Sequence, residues 1–251
     1  FDDGLRGIIE CAAPILQEMG IPAVFFLNTA FVDNKQLFYK HKAALLFQAW
    51  QQHKNLPVHD ISQKLSPYGL TFVDNTGSFL LDIPWEKRAV LDELAPLLEV
   101  DFEQFLKTEK PYLSWSEIKA LHQQGFTLGT HTADHPYLPS LPLEEQLQAI
   151  GRPFITLQHH IPQRYHFFSF PFTDDGLSYN LFKNLQALPQ NKPLFTFAGA
   201  GLKSQQLPAH FQRIPMEVSG INGREIIKGE YLYYLLKTMA GKQTVPYTTT
   251  T

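Results

Sequence analysis

Four short apolar runs, each led in by a helical pattern, constrain this chain most. They are Ala23-Val24-Phe25-Phe26-Leu27, Phe126-Thr127-Leu128-Gly129-Thr130, Tyr165-His166-Phe167-Phe168-Ser169-Phe170 and Leu194-Phe195-Thr196-Phe197-Ala198. The first is continuously apolar, which suits a strand buried on both faces. Before it, Leu5, Ile8, Ile9, Ala12, Ile15, Leu16 and Met19 recur at helical spacing, and Gly20 and Pro22 stop the helix. Before the second, Ser114 and Glu117 make a capping box ahead of Ile118, Leu121 and His122, and Gly125 closes the helix. Helices are also expected over Leu143–His160, interrupted at Pro153, over Leu177–Leu188 and over Ile226–Met239. Arg213-Ile214-Pro215-Met216 is a short strand candidate weakened by its proline. Strand and helix in alternation mean an α/β fold on a parallel sheet, open or closed.

One stretch breaks this rhythm. From about Val32 to Tyr112 the chain holds a helical segment, Leu37–Gln52, and a polar connection rich in Gln, Ser and Pro. It also holds a hairpin pattern, Leu70–Val73 with Ser78–Leu81, turning at Asp74-Asn75-Thr76-Gly77. A long insertion between two barrel units is expected to form a cap over the site.

Polar side chains suited to metal chemistry accompany the helix–strand units. Phe1-Asp2-Asp3-Gly4 stands immediately before the first helix, and His131-Thr132-Ala133-Asp134-His135-Pro136 comes directly after the second strand. Two adjacent carboxylates and two histidines four apart supply an Asp-His-His metal site with one carboxylate to spare. Three protein ligands leave a coordination position open, as hydrolytic zinc sites require. The spare carboxylate can take a proton from water. Either half alone has an ordinary reading: Asp-Asp-Gly as a turn or helix cap, and His-x-x-x-His as a chance spacing. Their equivalent positions, each just past a strand if one precedes Phe1, are the stronger argument. The ends of parallel strands are where α/β folds place chemistry.

Composition removes other classes. With 44% hydrophobic and 18% charged residues, the 251-residue chain can bury a large core. A net charge of -3 gives no electrostatic case for nucleic acid or an acidic membrane. No apolar run is long enough to span a bilayer. The lone Cys11 excludes an internal disulfide and is expected as a small core residue on the first helix. The opening at Phe1 suggests an N-terminus truncated from a longer chain. The compartment, cytoplasm or cell envelope, and the oligomeric state are therefore left open. Thr248–Thr251 resembles a tail and is set aside.

The Phe-Asp-Asp-Gly element, together with the run from Ser114 to Pro136, resembles the NodB-homology polysaccharide deacetylases, carbohydrate esterase family four. The resemblance covers most of the chain outside the insertion. It implies a distorted (β/α) barrel, often seven-stranded, over residues 1–251, with the inserted region at about 32–112. It implies metal-dependent removal of acetyl groups from sugars. Carried over by position, it makes Asp2 the catalytic base and Asp3, His131 and His135 the ligands of a divalent metal, most simply Zn²⁺. Ser169-Phe170-Pro171-Phe172 stands where the family has an Arg-x-Pro-Tyr-like element. Pro171 and Phe172 fit that groove-lining element, with the Phe172 N–H as oxyanion donor. Ser169 occupies the arginine's place, and no Leu-Leu-His element supplies the usual histidine acid.

The late segment His210–Glu217 is the nearest source for the missing groups. Taking the strand as 213–216, Glu217 falls at its site-facing end and is the candidate acid. On the same reading Arg213 and His210 fall toward the wrong end. The implied activity is N-deacetylation of an N-acetylated sugar or polysaccharide. The alternatives are the same fold acting on an O-acetyl ester, a formamide or a non-sugar amide, or an inactive carbohydrate-binding domain.

Overall fold

Each of the four apolar runs forms a strand, and a fifth strand comes after them. The computed structural model describes all residues except 73–75, 188–191, 200, 202–206, 218–219 and 245–251. The strands are β1 (Val24–Leu27), β2 (Thr127–Thr130), β3 (His166–Ser169), β4 (Leu194–Ala198) and β5 (His210–Gln212). They pair in parallel in the order β1-β2-β3-β4-β5. The helices are α1 (Ala13–Glu18), α2 (Tyr39–Gln52), α3 (Val58–Leu65), α4 (Val90–Leu94), α5 (Phe102–Glu109), α6 (Trp115–Gln123), α7 (Leu143–His160), α8 (Tyr179–Leu185) and α9 (Gly223–Met239). Among the described residues none is long and apolar enough to cross a membrane.

The chain divides into two compact units. Phe1–Thr29 with Trp115–Thr251 holds the sheet, and Ala30–Ser114 forms the other. In the second unit, Leu46 and Trp50 of α2, Ile61 and Leu65 of α3, and Leu91 and Leu94 of α4 share one buried core with Leu80. The hairpin expected there is not seen in its second half. Ser78–Asp82 is a 3₁₀ turn, Leu70–Phe72 is not assigned to a strand, and Val73 with the turn residues Asp74 and Asn75 lies outside the described residues. Trp50 explains the preference: a Cβ on Gly77 (φ +74°) would sit 2.6 Å from the indole Cγ, so the chain turns tightly against that ring.

The sheet unit has two differently filled faces. Toward the helices, Phe168 and Phe170 join Ile150, Phe154, Leu181, Phe182 and Leu194 in a buried cluster with α7 and α8. The opposite face is a phenylalanine ladder. Phe167 stacks on Phe195 at 5.5 Å, Phe197 on Phe211 at 5.6 Å, and Phe26 meets Phe197 at 5.5 Å. Gly129 makes room for this layer, since a Cβ there would come within 2.5 Å of the Phe26 ring and 2.8 Å of the Phe167 carbonyl oxygen. Side chains alternate along a strand. His131, Ser169 and Arg213 therefore continue the ladder face beyond Gly129, Phe167 and Phe211, at the C-terminal ends of β2, β3 and β5.

Phe1 adds to the other edge. Its N–H donates to the Val24 carbonyl (2.9 Å), and its own carbonyl accepts from Phe26 N–H (2.7 Å), the pattern of a parallel neighbour to β1. Phe1 and β5 are thus five strand spacings apart, roughly 24 Å in a flat sheet. Yet Asp2 and Arg213 are hydrogen-bonded at 2.8 and 2.9 Å, so the sheet must curl strongly. Five strands are assigned among the described residues, against the seven that the resemblance often implies.

Several local expectations are corrected. The fifth strand forms at His210–Gln212 rather than 213–216, because Pro215 has no N–H for a ladder. Helix α7 runs unbroken through a buried Pro153. The first helix begins as a π-helical turn, Ile8–Ala12, which shifts the phase of the residues after it. Ile8 and Ala13 are buried, whereas Ile15 and Met19 are exposed, and Cys11 is exposed rather than in the core.

Candidate metal centre and active site

The ends of the strands bring Asp2, Asp3, His131 and His135 together. Phe1 is held beside β1, and the chain then turns sharply, with Asp3 at φ 69° and Gly4 at φ 65°. After β2, Asn28 at the end of β1 donates to the His131 carbonyl, and the Thr132 hydroxyl accepts the His135 N–H at 3.0 Å. That local cap folds the His-x-x-x-His segment so that both rings face one point, 4.7 Å apart and at 79°. Of nine non-glycine residues with positive φ among the described ones, Asp3, Thr132, His135 and Phe172 are four. Such backbone persists only where the surroundings over-determine it, and here it concentrates at one site.

The donor set fits a metal ion. The Nε2 atoms of His131 and His135 lie 3.7 and 3.5 Å from Asp3 Oδ1. These distances are too long for hydrogen bonds. Two ligands of one tetrahedral ion at about 2.0–2.2 Å stand roughly 3.3–3.6 Å apart, close to what is observed. Asp3 Oδ1 is buried and has no hydrogen-bond partner. Burial pushes the Asp3 carboxyl upward, and the charges of Asp2 and Glu217 add to this against the opposing His131. A cation bound there would satisfy that oxygen and favour its ionised form. Nδ1 of His131 lies 2.7 Å from the Ser169 carbonyl oxygen, an anchor of the kind that orients metal-binding imidazoles. Asp3, His131 and His135 form the metal-suited group among the described residues.

Asp2 meets a different environment although it is adjacent in sequence. Arg213 forks onto it, Nη1 to Oδ1 at 2.9 Å and Nη2 to Oδ2 at 2.8 Å. The Ser169 hydroxyl lies 3.4 Å from Oδ2, and His131 Nε2 lies 4.0 Å away. Burial would raise this carboxyl, but the Arg213 hydrogen bonds and the charges of His131 and Arg213 outweigh it and hold it well below the usual carboxylate range. Two neighbouring aspartates are thus shifted in opposite directions, Asp2 downward and Asp3 upward.

Pro171 and Phe172 lie in a tight turn after β3, in which Thr173 N–H donates to the Pro171 carbonyl at 2.6 Å. Phe172 is 48% exposed, with its ring edge-on to His135 at 4.5 Å, and so borders the site. Glu217 is exposed, and its charge is felt at Asp3. Arg213 is the residue whose position differs most from expectation. With β5 ending at Gln212, it comes after the strand instead of starting it, and so faces Asp2. The signal available in sequence was the alternation Phe211-x-Arg213, parallel to Phe167-x-Ser169 and Gly129-x-His131. His210, three residues earlier, projects to the other face. Its ring packs on Phe170 and Phe182 with Nε2 3.1 Å from the buried Asp174 carboxylate, away from the ladder face.

A search of curated proteins found no significant match. Among solved structures, the Streptococcus pyogenes deacetylase PplD in complex with acetate is 12% identical, with a TM-score of 0.53, over 92% of this chain and 68% of that one. IcaB from Ammonifex degensii is 14% identical, with a TM-score of 0.49, over 92% of this chain and 70% of its own. At such identity the first likeness speaks for the fold alone, an α/β fold with a parallel sheet. The family model described as polysaccharide deacetylase matches residues 1–190, three quarters of the sequence and all four aspartate and histidine positions. The chain belongs to the polysaccharide deacetylase family.

Proposed function

We propose that this protein is a metal-dependent hydrolase that removes N-acetyl groups from an N-acetylated sugar or polysaccharide. The observation that carries the reading is the Asp3-His131-His135 group beside a second carboxylate, Asp2, held ionised. A divalent ion there, most simply Zn²⁺, would supply Lewis acidity toward the amide carbonyl and make a water molecule more acidic. Asp3 and the two imidazole Nε2 atoms would hold it. Asp2, 4.0 Å from His131 Nε2, would accept the proton of the attacking water. The Phe172 N–H, in its strained turn, would donate to the oxyanion, and Pro171 would keep that turn rigid. The exposed Phe172 ring offers an apolar face to the sugar. Glu217 is proposed as the acid for the leaving amine. The inserted Ala30–Ser114 unit is proposed to restrict which substrate enters, since the chain departs for it just after β1, at the strand end that carries the site residues in β2 and β3.

Release of acetate from N-acetylglucosamine oligomers and polymers, with and without added metal, tests the reading. Metal-dependent acetate is the expected result. Protein that binds metal and releases none would favour an O-acetyl ester, a formamide or a non-sugar amide as substrate, or a binding domain without activity. A sugar-bound structure with no part of the inserted unit near the ligand would overturn the proposal for that unit.

A further inference from the structure

We propose that Arg213 is the positioning residue of Asp2, supplied from the end of β5, and that the small Ser169 is what gives its guanidinium room. The proposal rests on the functional reading above.

Both Asp2 oxygens are taken by the two terminal guanidinium nitrogens, at 2.9 and 2.8 Å. A fork of this kind fixes the plane of a carboxylate, which a single contact cannot do. Nη2 also donates to the Ser169 hydroxyl at 2.7 Å, and that hydroxyl lies 3.4 Å from Asp2 Oδ2. Ser169 is fully buried, so a larger side chain there would contend for the volume the guanidinium occupies. Below, the Phe26 ring lies 5.4 Å from Arg213 Cζ. The backbone of Arg213 is clamped as well: its N–H donates to the Ala198 carbonyl at 2.7 Å, and its carbonyl accepts from Gly201 N–H at 2.9 Å. Asp2 lies between a residue paired with β1 and a left-handed turn, so its backbone is fixed. Only the side-chain torsion remains free, and the fork removes that freedom.

The guanidinium's hydrogen-bond partners are Asp2 and Ser169, so it acts on the reaction through Asp2. Lysine could supply the charge but not the fork.

Acetate-release kinetics and metal content of Arg213→Ala and Arg213→Lys test this, with and without millimolar guanidinium. The expected result for Arg213→Ala is a kcat lower by about 10²-fold, the scale of a misplaced reacting group, with KM and bound metal unchanged. Guanidinium should raise the rate of Arg213→Ala but not of wild type, and Arg213→Lys should resemble Arg213→Ala. A kcat within about twofold of wild type, or a loss that tracks metal or fold and ignores guanidinium, would overturn the proposal. Urea midpoints of Asp2→Asn, Arg213→Ala and the double variant provide an arm without activity. The double variant should be no worse than the poorer single one, and additive midpoint shifts would count against the pair. Wild-type protein that binds metal but releases no acetate would instead sink the functional reading, leaving the urea cycle to judge the pair.

Discussion

The Nδ1 of His131 lies 2.7 Å from the carbonyl oxygen of Ser169. A carbonyl can only accept, so Nδ1 is the donor in this contact and Nε2 is the nitrogen turned toward Asp3. The same serine's hydroxyl receives Arg213 Nη2 at 2.7 Å. One fully buried residue at the end of β3 thus orients a metal-suited imidazole with its main chain and touches the partner of Asp2 with its side chain.

Asp3 is the sharpest place to test the metal assignment, because its Oδ1 is buried without a partner. Asp3→Asn and His135→Ala are expected to lose the metal that wild type retains, by elemental analysis. Metal at about a hundredfold over its Kd should stabilise wild type by roughly 2.7 kcal/mol and these variants not at all. The sign for metal-free protein runs the other way. Asp3 is raised in the fold, so its favourable contribution belongs below the unfolded value of about 3.9 and is lost as pH rises through the folded one. Metal-free Asp3→Asn should therefore be at least as stable as wild type near neutrality, with the gap closing on acidification. Equal metal content in all three proteins would remove the assignment.

Asp2 behaves oppositely. Its carboxyl is held low, so the stability it contributes is present above about pH 3.9 and is lost as pH falls through the folded value below that. Asp2→Asn should keep its metal, lose this acid-limb dependence in thermal melts, and lose roughly 10²–10⁴-fold in kcat. Near wild-type activity in a metal-loaded variant would make Asp2 structural.

Glu217 is exposed but close enough for its charge to bear on Asp3. As the acid for the leaving amine, it predicts that Glu217→Gln lowers kcat by roughly 10²-fold with metal content unchanged. An unchanged rate would take Glu217 out of the mechanism.

The parallel α/β architecture was legible because four short runs rich in apolar residues alternate with helical periodicity. The grouping of Asp2 and Asp3 with His131 and His135 was legible because each pair sits at the end of such a unit. Arg213 was not, because reading the strand as 213–216 put it at the strand's start, and the alternation Phe211-x-Arg213 past a three-residue strand is a faint signal. Cys11 was misplaced for another reason: a π-helical turn adds a residue per hydrogen-bonded ring, so 3.6-residue counting fails past Ile8. Ser169 could be read as a missing arginine, but only the curl of the sheet brings the ends of β3 and β5 to one carboxylate.

Gly129 tests whether that curl and the site are one construction. A Cβ there would stand 2.5 Å from Phe26 Cδ1 and 2.8 Å from the Phe167 carbonyl oxygen. The ring can tilt away, but the carbonyl belongs to the β3 backbone and cannot yield alone. Phe26 also lies under Arg213, and His131 is two residues beyond Gly129 on the same face. Gly129→Ala should therefore cost about 1–3 kcal/mol in urea denaturation, the usual range for overpacking, and weaken metal retention as His131 shifts. Gly7→Ala is the control, because a Cβ there meets nothing within 4 Å. It should be close to neutral, since Gly7 already has a φ of -54°, which alanine adopts freely. If Gly129→Ala matched wild type in both midpoint and metal content, the ladder would not be what positions the site.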